Sequence, residues 1–171
     1  MDVVNAIGLR RSIRKYKDKK VSEEIINELL NAARLAPSAK NAQLHKYYVV
    51  KDKKVITELK DNNSFQQAFV SRAPLIIVCC VNPNEYPSIE NQEAKMKEYA
   101  LIDLSIASAF LNLRATELGL GVTFIGLIDD KKIRKVLNIS KDYLLPYVLT
   151  VGYPDEDPSE RPRKKLKEIV F

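Results

Sequence analysis

Residues 93–122, EAKMKEYALIDLSIASAFLNLRATELGLGV, decide the fold. The stretch reads as the longest helix of the chain, over 93–118, and the GLGV of 119–122 ends it. Its middle is apolar around most of the circumference, because Leu101, Ile102, Leu104, Ile106, Ala107, Phe110, Leu111 and Leu113 do not fit one stripe. A helix that is apolar all round is buried on all sides. In a chain of 171 residues a second copy of the subunit is one way to cover both faces, so a homodimer is expected. The richest apolar run, Tyr99 to Leu113, is broken by Asp103, Ser105, Ser108 and Asn112. That falls short of the roughly 18 uninterrupted apolar residues of a membrane span, and no membrane partner is expected.

Outward from this helix the elements alternate irregularly. Upstream, Ser22 caps a helix over about 22–36 with an apolar stripe of Ile25, Leu29, Ala32, Ala33 and Ala36, and Pro37 stops it. KYYVVK at 46–51 and PLIIVCCV at 74–81 read as strands, with a short helix over about 53–60 between them. Downstream, 122–125 is a short strand, Asp129 or Asp130 caps a helix through Leu137, and 147–153 is the last strand. This pattern belongs to α/β or α+β proteins.

The composition excludes several classes. Apolar residues make up 46% and the net charge is +6, which suits one folded domain over 1–171 and not a disordered chain. Cys79 and Cys80 adjoin inside an apolar strand and point to opposite faces, so packed thiols are expected in place of a disulfide or metal site. With His45 as the only histidine, a multi-histidine metal centre is excluded. Eight Tyr, five Phe and no Trp form no basic-aromatic ladder for stacking bases, so no nucleic-acid partner is expected. The N-terminus MDVVNAIGLRR lacks the order of a signal peptide, and a cytoplasmic location is expected.

Three segments carry possible chemistry. Arg10, Arg11, Ser12 and Arg14 follow a short apolar helix; planar guanidinium forks and a hydroxyl suit a phosphate monoester, and a solvated basic surface is the alternative. The segment 36–43, APSAKNAQ, offers Ser38, Asn41 and Gln43 among small residues, and side-chain amides complement the imide edge of a planar heterocycle; the alternative is an ordinary loop after a helix stop. The tail from Pro154 holds an acidic block, then Arg161-Pro162-Arg163-Lys164-Lys165, and ends in Ile169, Val170 and Phe171. Such an ending suggests an extended arm that covers a surface, and the basic run alone could be plain solvated charge.

Jointly these residues resemble the nitroreductase family of flavin-dependent oxidoreductases over essentially the full length. The resemblance rests on RRSIRKYKDKKVSEEIINELLNAARLAPSAKNAQ, APLIIVCC, GLGVTFIGLIDD and VGYPDEDPSERPRKK. It implies an α+β fold: a central, mainly antiparallel β-sheet flanked by helices, in an intertwined homodimer whose C-terminal arm, 154–171, wraps the partner. It also implies two FMN sites at the interface. By resemblance Arg10, Arg11, Ser12, Arg14, Arg161 and Arg163 hold the FMN phosphate, ribityl chain and pyrimidine edge, and Pro37, Ser38, Ala39 and Asn41 come from the other subunit. Gln66 or Gln67 would lie against the flavin ring, and the backbone of Ile125, Gly126 and Leu127 would face it near its reactive nitrogen.

The implied activity is ping-pong electron transfer from NADH or NADPH to a small-molecule acceptor such as a nitroaromatic or quinone. Cationic groups near the pyrimidine edge, Arg14 first among them, would stabilise the reduced flavin. Dehalogenation, enone reduction, flavin breakdown or flavin binding without turnover are the alternatives. The chain departs from the family at Leu44 and His45, where many members have proline and tryptophan. The segment between the turn at 83–87 and the long helix is short, which implies a more open site; Tyr86, Tyr99 and Phe124 are candidates for lining it or for plain packing.

Overall fold

A computed structural model describes residues 1–86 and 93–171. In chain order the helices are α1 (Val3–Leu9), α2 (Glu23–Arg34), α3 (Lys53–Asp61), α4 (Glu93–Glu117) and α5 (Asp130–Leu137). The strands are β1 (His45–Val50), β2 (Leu75–Val81), β3 (Gly121–Ile125) and β4 (Leu144–Gly152). They form one antiparallel sheet in the order β1-β2-β4-β3.

Every residue of β2 is buried, because helices cover the sheet on both sides. Leu75, Ile77, Cys79 and Val81 face α2 and α4, while Ile76, Val78 and Cys80 face Ile56 and Leu59 of α3 and Ile133 of α5. The two thiols therefore enter opposite cores and both are free. Burial pushes Cys80 up to about 12 and Cys79 further in the same direction. The result is an α+β architecture of three layers.

Helix α2 starts where Ser22 accepts the Ile25 N–H, and Glu23 and Glu24 sit in its first turn beside the positive end of the dipole. Its buried centre is Ile26, Leu29 and Ala33, so Ile25 and Ala32 stand at the margin of the expected stripe. The last strand begins at Leu144, three residues earlier than Pro146 suggested. The proline is accommodated because the β2–β4 register shifts there, and β3 reaches β4 only as far as Val148.

Helix α4 is covered on one side by its own chain. Ala100, Leu104, Ala107, Leu111 and Ala115 are fully buried, yet Ile102 is 51% and Phe110 42% exposed. Ile102, with Ala109 and Leu113, lies opposite the buried stripe and Phe110 lies on its flank, since α-helical positions advance about 100° each. A single chain covers one side of the helix, not all of it. Further apolar side chains stand exposed on α1 (Val3, Val4, Ile7) and at the chain end (Ile169, Val170, Phe171).

Candidate functional site

At Arg10 the backbone leaves α1 and becomes extended. Ser12 bridges Val122 in parallel, the Ile13 N–H donates to the Val122 carbonyl at 3.3 Å, and the Thr123 hydroxyl donates to the Ile13 carbonyl at 2.6 Å. Ile13 is buried against Gly121, where a Cβ would stand 2.3 Å from Ile13 Cγ1. Side chains alternate along extended backbone, so Ile13 pointing inward turns Arg10, Ser12 and Arg14 to a common side. Arg11 is committed to the protein itself: it donates to the carbonyls of Gly8 and Arg10 and pairs with Glu160 at 3.8 Å.

The tail returns along this segment. Pro154 bridges Tyr16, the Asp155 N–H donates to the Lys15 carbonyl at 3.0 Å, and the Glu156 carboxylate accepts the N–H groups of Arg14 and Lys15. Guanidinium groups from the two ends of the chain thereby meet. Arg10, Arg11, Ser12, Arg14, Arg161 and Arg163 line a cavity of about 150 Å³ with Pro158 and Ser159. Arg10 is held below the ordinary arginine range by burial and then by the charges of Arg163 and Arg11. Arginine stays protonated in proteins, so this crowding is relieved by an anion and not by loss of a proton. A phosphate monoester, which bidentate guanidinium forks match, fits the donor set.

The other predicted residues occupy two further places. Ile125 ends β3 buried, and Gly126 and Leu127 continue exposed at the sheet edge. The loop carrying Gln66 and Gln67 runs beside them: the Gln66 N–H donates to the Leu127 carbonyl at 3.4 Å, and Phe65 bridges Ile128. Gln66 and Gln67 line a separate cavity of about 430 Å³, and Gln67 Oε1 is buried with no hydrogen-bond partner among the described residues. Pro37, Ser38, Ala39 and Asn41 lie in the loop after α2 and do not line the arginine cavity of their own chain. A cavity of about 740 Å³ between Tyr16, Lys17, Lys53 and Arg72 holds none of the residues singled out by sequence.

Tyr86 is packed at 6% exposure with its hydroxyl on Asp103, whereas Phe124 is 42% exposed on β3 against the Tyr147 ring. Residues 87–92, which include most of the short cover segment, lie outside the described residues. Sequence reasoning passed over two carboxylates. Glu156 was read only as part of an acidic block, and Asp103 only as an interruption of an apolar run; a charge at a helix position that pattern predicts to be buried is the signal that could have found it.

Comparison with known proteins identifies the fold and the family. The family model described as "Nitroreductase family" matches residues 7–64 and 60–153. A protein of Methanothermobacter thermautotrophicus named as a NADH dehydrogenase/NAD(P)H nitroreductase is 36% identical over 167 residues, covering 94% of this chain and 82% of the relative. A crystal structure of a nitroreductase family protein from Clostridium difficile 630 superposes with a TM-score of 0.86 at 28% identity, covering 100% of this chain and 98% of that one. An FMN-dependent nitroreductase from Clostridium difficile R20291 gives a TM-score of 0.76 at 30% identity, covering 96% and 93%. By sequence and fold, this chain belongs to the nitroreductase family.

Proposed function

We propose that the protein is an FMN-dependent oxidoreductase that takes hydride from NADH or NADPH and delivers electrons to a nitroaromatic, quinone or similar small acceptor by a ping-pong mechanism. The observation that carries this reading is the convergence of Arg10, Arg14, Arg161 and Arg163 with Ser12 on one small cavity. The names of the relatives from M. thermautotrophicus and C. difficile R20291 support the same cofactor and donor.

Within this reading the whole of 1–171 is one FMN-binding domain. The arginine cavity receives the phosphate. From Ser12, beside Val122, β3 leads to Leu127, and five residues of strand span roughly 16 Å, a length suited to an extended mononucleotide. The backbone of Ile125, Gly126 and Leu127 and the amides of Gln66 and Gln67 stand at the far end of that path and orient the ring. Arg14 lines the same cavity as Arg10 and Arg163, so its charge acts on the phosphate end of the mononucleotide in this arrangement and not on the ring edge expected for it. Bound there, FMN supplies the hydride-accepting and electron-releasing chemistry, so the chain itself has to bind, orient and exclude water.

The uncovered stripe of α4, the exposed face of α1 and the apolar chain end support a homodimer, with the arm 154–171 wrapping the partner. In that dimer Pro37, Ser38, Ala39 and Asn41 of one subunit complete the site of the other. The test is an absorbance spectrum of the purified protein after incubation with FMN, before and after anaerobic addition of NADH or NADPH. A bound flavin whose visible band bleaches with one donor is expected; a protein that takes up no FMN, or whose flavin neither donor reduces, overturns the reading.

A further inference from the structure

Asp103 lies on the buried stripe of α4, beside Leu104 and between Ala100 and Ala107, with 7% of its surface exposed. A carboxylate in such a layer persists only where donors satisfy it. Among the described residues two do, both from outside the helix: the backbone N–H of Ala39 at 2.9 Å and the hydroxyl of Tyr86. Beside them stands His45, whose Nδ1 is buried with no hydrogen-bond partner among the described residues; burial holds the imidazole below its ordinary range against the opposing effect of the Asp103 charge.

Ala39 begins the single turn Ala39–Asn41. Lys40, Asn41 and Gln43 have φ of 52°, 54° and 51°, the left-handed region that non-glycine residues avoid. Three such residues within four positions make a conformation that the segment does not adopt unaided. Inside the loop, Ser38 Oγ accepts the Gln43 N–H at 3.0 Å and the Ser38 carbonyl accepts the Asn41 N–H at 2.9 Å. From outside, Asp103 fixes the first amide of the turn, and an ionised acceptor holds an N–H more tightly than a neutral one. Asp103 also belongs to the helix that carries the exposed Phe110 two turns further on and the exposed Ile102 about 100° round, so one rigid element joins the loop to the uncovered apolar side chains.

We infer that Asp103 is a positioning residue: through the Ala39 amide it sets how Ser38 and Asn41 are presented to a flavin held across the subunit interface. This inference rests on the FMN reading above. Its test uses full-length Asp103→Leu and Asp103→Asn, with FMN affinity by fluorescence quenching, hydrogen exchange at the Ala39 amide and the melting temperature of the flavin-free protein. Asp103→Leu is expected to weaken FMN binding more than tenfold and to expose Ala39 to exchange without lowering the flavin-free melting temperature in proportion. Asp103→Asn, which keeps a carbonyl acceptor but loses the charge, should show both effects at a reduced but measurable size.

Parental affinity and parental exchange at Ala39 in Asp103→Leu overturn the inference, as does a loss of affinity that only tracks a loss of melting temperature. If Asp103→Leu does not fold, Asp103→Asn decides: faster Ala39 exchange with weakened FMN binding supports the role, and no change in either overturns it. A parent protein that binds no FMN would sink the functional reading instead, and Ala39 exchange would still report whether Asp103 holds the loop.

Discussion

Arg10 and Arg163 lie at opposite ends of the sequence and share one cavity, each adding to the charge that the other must tolerate. If FMN phosphate is the anion that relieves this crowding, removing either guanidinium deletes a charge-assisted contact of about 1.5–3 kcal/mol. Arg10→Ala and Arg163→Ala are therefore each expected to weaken FMN binding about 10- to 150-fold, measured by flavin fluorescence titration. Unchanged affinity in both would place the phosphate elsewhere. His45 makes a second prediction at this scale. Burial lowers its folded value below 6.5, so between 6.5 and that lower value the unfolded chain binds more protons than the folded one. Its stabilising contribution is complete above 6.5 and is lost as the pH falls through that window. The melting temperature of the parent should fall from pH 7 to pH 5, and His45→Asn should flatten that part of the profile.

Among the elements, β3 is where fold and site meet, because the same strand pairs with β4 on one edge and with the arginine segment on the other. Gly121 makes that second pairing possible: any side chain there collides with Ile13, which is itself buried. Gly121→Ala is expected to destabilise the protein by about 1–3 kcal/mol, the usual range for overpacking, and to weaken FMN binding as Ser12 and Arg14 shift with Ile13. Urea denaturation and the same fluorescence titration check both effects; a variant of parental stability would show that the segment moves aside freely. The elements were largely legible in the chain, because capping residues, β-branched runs and helix stops act locally: Ser22 caps α2, Asp129 caps α5 and Gly119 at φ 74° closes α4. The start of β4 was not, because whether a strand tolerates Pro146 depends on which neighbours require its missing N–H.

For the molecule as a whole, the α4 stripe decides the state of assembly. Phe110 is 42% exposed on the flank of α4, about 100° round from Leu111, and belongs to neither buried cluster, so Phe110→Asp should leave the fold of one chain intact. In the proposed dimer it buries a charge in an apolar contact. Sedimentation velocity is expected to show a dimer for the parent and a monomer for the variant, with FMN affinity reduced because the loop at 37–41 no longer reaches the partner's site. A parent that sediments as a monomer would refute the arrangement.

The amino-acid sequence alone determined the residue types of the site, the two opposed cores reached by Cys79 and Cys80, and the presence of a helix too apolar for one chain to cover. These follow from local propensity and from the periodicity of apolar residues, which need no knowledge of distant partners. Only the tertiary structure decided that residues 154–163 fold back along 10–16, that Glu156 and Asp103 hold the two candidate binding segments, and that one side of α4 stays uncovered. Each of these depends on contacts between residues 64 to more than 140 positions apart, and such contacts are set by the packing of the whole sheet and its helices and not by any local pattern.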